Sequence, residues 1–80
     1  MINNYSFQEL VKIAQDLRKE YPKGTKVRLV RMDDPQAPPI NTIGIVRGVD
    51  DMASILVQWE NGSNLSVIYG EDVIEKIGEW

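Results

Sequence analysis

Six basic side chains, Arg18, Lys19, Lys23, Lys26, Arg28 and Arg31, fall within fourteen residues, with Glu20 the single acid among them. Such a run can hold an anion, and an arginine can grip phosphate through two parallel charged hydrogen bonds. The plainer reading is a solvated edge. The acids come in pairs: Asp33-Asp34, Asp50-Asp51, and Glu71-Asp72 near Glu75. Two adjacent carboxylates in one loop supply too few ligands for Mg²⁺ or Ca²⁺, and no D-x-D-x-D-G pattern follows them. They read as turn residues, and nothing near Glu71, Asp72 and Glu75 would raise a carboxyl pKa for acid–base work. Ser54, Ser63 and Ser66 have no histidine to activate them, because the chain contains neither His nor Cys. That excludes hydrolase triads that use an imidazole, thiolate or imidazole zinc sites, and disulfides. No G-x-x-x-x-G-K-[ST] or G-x-G-x-x-G loop is present. The expectation is a protein that is not an enzyme and uses no metal or cofactor.

These residues must be positioned by a single domain, since 80 residues leave no room for a second core. Net charge is −3, which argues against a general nucleic-acid coat. The charge is uneven: residues 1–49 carry eight bases and five acids, residues 50–80 one base and seven acids. No apolar run reaches the roughly 18 residues needed to span a bilayer. The start, Met-Ile-Asn-Asn-Tyr, lacks the basic and apolar regions of a signal peptide. The expected location is the cytoplasm.

The first predicted element is a helix over residues 7–20. Ser6 and Glu9 make an S-x-x-E capping box, and Tyr5 and Leu10 occupy the staple positions. Phe7, Leu10, Val11, Ala14, Leu17 and Tyr21 form one apolar stripe, widened by Ile13. Pro22 ends it. From Thr25 the period changes to alternation, predicting strands over 26–32, 42–49, 54–60, 65–67 and 73–77. Between the first two lies a stiff loop, 33–41, with three prolines in five residues. Gly44 and Gly48 predict a bulge or bend in the second strand. Asn61-Gly62 predicts a type I′ hairpin turn with both residues at positive φ. One helix and five short strands predict a mainly β fold, a small curled barrel with an N-terminal amphipathic helix. The helix stripe either covers the barrel or pairs with a second copy, making a homo-oligomer.

Several stretches resemble a small uncharacterised family common in phages and mobile elements of Gram-positive bacteria. They are Lys23-Gly24-Thr25 with Val27-Arg28-Leu29, then Met32-Asp33-Asp34-Pro35-Gln36-Ala37-Pro38-Pro39, and residues 44–50 and 55–63. The resemblance covers residues 23–77 and leaves the helix outside it, as an addition of this protein's own. Asn41 stands where the family pattern has glycine before Thr42; asparagine tolerates the left-handed region. The resemblance implies an SH3-like five-stranded barrel over 25–77 and a phage or mobile-element origin, with no established chemistry.

In such a barrel the loop between the first two strands sits beside the third-strand aromatic. This pairs Asp33, Asp34, Pro35 and Gln36 with Trp59 and Tyr69, while Arg28, Arg31 and Arg47 come from neighbouring strands. The plainer reading makes Trp59 core and the arginines a solvated face. Three functional expectations follow. The first is an accessory protein that acts by stoichiometric binding, in counter-defence, by sequestering a nucleotide-like host signal or blocking a host protein. The second is an interaction adaptor holding a peptide beside Trp59. The third is a nucleic-acid accessory domain using residues 18–31.

Overall fold

The computed structural model describes residues 4–79. The helix α1 spans Phe7–Glu20. The strands are β1 (Thr25–Arg31), β2 (Ile43–Val49), β3 (Ser54–Trp59), β4 (Val67–Ile68) and β5 (Val73–Glu79). They form one antiparallel sheet in the order β4-β3-β2-β1-β5. The fold is mainly β with one N-terminal helix, and no described helix is long and apolar enough to cross a membrane.

The helix starts where its cap dictates. Glu9 N donates to Ser6 Oγ at 3.1 Å and Ser6 N donates to Glu9 Oε1 at 2.8 Å, which satisfies two orphan donors reciprocally. Leu10, Ala14 and Leu17 are buried against the sheet, with Ile13 and Tyr21 packed beside them. Phe7, expected in the same stripe, is 63% exposed. Polar ties hold the helix down at its far end. Arg18 donates twice to Val49 O, at 3.0 and 2.8 Å, and once to Asp51 Oδ1 at 3.0 Å. Lys76 Nζ donates to Glu20 O at 2.8 Å, a cation on the carbonyl end of the dipole, and lies over the Tyr21 ring. Burial pushes the Tyr21 phenol pKa up, and the charge of Glu20 adds to the effect.

Trp59 is the largest fully buried side chain, at 2% exposure. Its indole packs over Gly44 on the neighbouring strand: a Cβ there would lie 2.5 Å from Val57 Cγ1 and 2.7 Å from Trp59 Cε3. Val27, Leu29, Val46, Val57 and Ile55 complete the inner face, and alternation puts Lys26, Arg28, Ile45 and Gln58 on the other. Bulges interrupt β2 between Val46 and Gly48, as the glycines predicted, and β5 against β1.

Two expectations are corrected. The expected barrel is not closed: β4 and β5 are the edges of the sheet. The return arm after β3 does not pair along its length: Trp59 Nε1 donates to Leu65 O at 2.9 Å, and only Val67 and Ile68 reach the ladder. Asp72 Oδ2 then accepts from Ile68 N at 2.8 Å, a side chain standing where a strand would continue. The hairpin is also not type I′. Gly62 N donates to Trp59 O at 3.0 Å, so Glu60 and Asn61 form the centre of the turn, and Gly62 follows it at φ +92°. Asn61 is not among the positive-φ residues, and its Oδ1 accepts from Ser63 N at 3.0 Å. This is the longer connection built on a turn plus a left-handed glycine.

Two substitutions test this packing. Gly44→Ala is expected to destabilise by about 1–3 kcal/mol in denaturant melts followed by tryptophan fluorescence, because the added methyl overpacks the indole. Gly62→Val should cost at least about 1 kcal/mol in the same melts, since a β-branched residue is strained at that φ.

Candidate functional site

The arginines proposed from sequence do not converge. Arg28, in mid-β1, donates through Nε at 2.9 Å, and through Nη2, to Glu75 Oε1, and its Nη1 donates to Asn41 Oδ1. Its fork is committed to holding β5 and the end of the 32–42 loop onto β1. Asn41 sits at φ +78°, the left-handed conformation that its type tolerates. Arg47 sits at the β2 bulge and donates to Gln58 Oε1 at 2.6 Å. Arg31 is exposed at the far end of β1. By the β1–β2 register, about 20 Å of strand separates Arg31 from Arg47.

Trp59 is a core residue whose single donor is used internally, so it presents no face to a ligand. The proline loop is folded by its own bonds. Asp34 Oδ1 accepts from Gln36 N at 2.7 Å, Ala37 N donates to Asp34 O at 3.0 Å, and Thr42 Oγ1 donates to Pro39 O at 2.6 Å. Pro38 is buried, while Asp33, Asp34, Pro35 and Gln36 are exposed. The wall facing Asp33 and Asp34 is Leu65, Ser66, Ile68, Glu71 and Asp72, which with Met32 line a groove of about 290 Å³. Trp59 is not part of it. The expected groove of loop against Trp59 is therefore replaced by one of loop against the β4 arm. Tyr69 lies elsewhere, with its ring 5.9 Å from that of Tyr5.

The groove carries four carboxylates from two separate chain segments, Asp33, Asp34, Glu71 and Asp72. Among the described residues no group of three or more acidic side chains is arranged to hold a metal ion. Two of the four have structural work: Asp34 closes the loop turn and Asp72 bonds Ile68 N.

A second groove adjoins the first and shares Ile68 and Glu71 with it. It measures about 420 Å³ and is lined by Tyr5, Phe7, Leu10, Met52, Ser54, Ile68 and Glu71. Phe7 is 63% exposed and Met52 55%. Sequence reasoning missed this surface, having assigned Phe7 to the core stripe and Met52 to a bare turn. The available signals were a large apolar residue in the Asp50-Asp51-Met52 turn and an aromatic at the first position of a capped helix. The turn itself is set by Asp50 Oδ1, which accepts from Met52 N and Ser54 N at 3.0 Å each, and by Ala53 at φ +62°.

Arg28 is thus a structural residue. Arg28→Ala should lower stability by about 1 kcal/mol, and a double-mutant cycle with Glu75→Gln should return a coupling of about 0.5 kcal/mol, read from denaturant melts. Zero coupling would free Arg28 for a ligand.

No curated protein matches the chain significantly. Residues 10–77 match the family described as Domain of unknown function (DUF4314). The match begins at Leu10, so most of α1 lies inside the family's domain and is not an addition peculiar to this protein. Because the match takes in the core of the helix and all but the end of the sheet, the chain belongs to the DUF4314 family.

Proposed function

We propose that this protein acts by stoichiometric binding of another protein, as a small accessory module, and not by catalysis. The observation that carries this reading is that the two most exposed large apolar side chains among the described residues, Phe7 and Met52, line one groove together with Tyr5. Phe7 at 63%, Met52 at 55% and Tyr5 at 41% exposure surround a single groove at the start of α1. Aromatic and methionine side chains gathered on one surface favour protein contacts, because they bury much area and adapt to a partner. Sequestration of a nucleotide-like signal has less support, since Arg28 and Arg47 are engaged within the sheet and Arg31 stands apart from both. The peptide adaptor reading is kept with its site moved from Trp59 to this groove. An SH3-like fold, with its sheet left open, is the proposed finer fold. A meander with β5 returned beside β1, bent by bulges, supports it. A phage or mobile-element origin, with counter-defence by blocking a host protein, is the setting in which such a module would act.

The test is photo-crosslinking in expressing cells, with p-benzoylphenylalanine placed at position 7, 52 or 58, alongside native mass spectrometry of the purified chain. Positions 7 and 52 should each trap one discrete protein adduct, and position 58, on the opposite sheet face, none. A retained nucleotide, or adducts from position 58 alone, would overturn the proposal.

A further inference from the structure

The occupant of the apolar groove can be specified by chemistry. The apolar groove of Tyr5, Phe7, Leu10, Met52 and Ile68 adjoins the acidic groove, and Ile68 and Glu71 line both. The four carboxylates Asp33, Asp34, Glu71 and Asp72 line the pair, and among the described residues no lysine or arginine lines either one. The side chains of Asp33 and Glu71 carry no hydrogen bond or ion pair among the described residues, so their charge is not neutralised within the domain. An apolar side chain seated between Phe7 and Met52 would place its chain neighbours against these acids.

We infer that this double groove takes a basic amphipathic segment of a partner protein, an apolar anchor followed by lysine or arginine. The inference rests on the binding reading above and gives it a substrate class. The anchor's burial supplies affinity, and the acidic wall selects positive charge and steers encounter. Apolar contact alone would accept many segments, while the uncompensated carboxylates repel acidic ones, so discrimination comes from the rim. The mode is that of an apolar helix face laid into a groove.

The test uses three short synthetic peptides and the full chain in calorimetric titration. One carries Leu and Lys at helical spacing, one Leu and Glu, and one Ser and Lys. The Leu/Lys peptide should bind, and the other two should be weaker by about tenfold or more. Phe7→Ala and Met52→Ala should each weaken it about five- to tenfold, with thermal melts close to the parent because both side chains are exposed. Asp33→Lys should weaken it and flatten its salt dependence, and Gln58→Ala should do neither. Equal binding of the Leu/Glu peptide, or indifference to both Phe7→Ala and Met52→Ala, would overturn the inference. So would self-association in sedimentation that Phe7→Ala abolishes, because the occupant would then be a second copy. If no peptide binds while position 7 still crosslinks a protein in cells, the chemistry assigned here falls and the binding reading stands.

Discussion

The indole of Trp59 lies flat over a strand position that has no side chain, Gly44, and hands its one donor to the carbonyl of Leu65. A buried tryptophan removes roughly 150–250 Å² from water, on the order of 4–6 kcal/mol at ~25 cal/mol/Å². That is comparable with the net stability of a domain this size, about 0.05–0.15 kcal/mol per residue, and the neighbouring strands are arranged to keep it. The glycine leaves room on β2 for the ring of Trp59, its register partner on β3, to lie across it. The bond to Leu65 draws in the return arm by a side chain and not by a ladder. Pairing resumes only at Val67, and β4 is two residues long, one edge of an open sheet whose other edge is β5. The irregular arm left along that edge is what Asp33 and Asp34 face across the acidic groove.

The helix completes the core from the other side, and its ends are treated differently. Near the C-terminus, Arg18 and Lys76 bind carbonyls of Val49 and Glu20, each a charged donor on a neutral acceptor. The N-terminal end is fixed by its own capping box, a local device that orders the helix without binding the sheet. Among the described residues its first turn makes no polar tie to the sheet, and Phe7 and Tyr5 are exposed. Core packing and exposed apolar surface are thus divided along one helix: Leu10, Ala14 and Leu17 hold the sheet, and Tyr5 and Phe7 before them are exposed.

Local signals determined the elements. The capping box, the stripe and Pro22 place a helix over the span observed. The switch to alternation at Thr25, the proline loop and the glycines at the bulge place the strands within one or two residues, apart from the short fourth. Asn41 stands at φ +78°, the left-handed region that asparagine tolerates in place of the glycine of the family pattern. Each of these depends on interactions within a few residues along the chain.

Tertiary structure decided the remainder, because it depends on which distant groups compete for the same space or the same donor. Whether Trp59 faces a ligand or the core turned on Gly44 and Leu65, which alternation in β3 does not contain. Whether Arg28 is free turned on Glu75, 47 residues away, reaching it across the β1–β5 pair. The turn at Asn61 shifted by a residue because the position of Ser63 against Trp59 set its length. Phe7 and Met52 became one surface only when the helix start was packed beside the β2–β3 turn. The sequence by itself determined a capped helix, its strands and a chain without imidazole or thiol; which side chains are left facing solvent together is a property of packing, since it is settled by what the core does not cover.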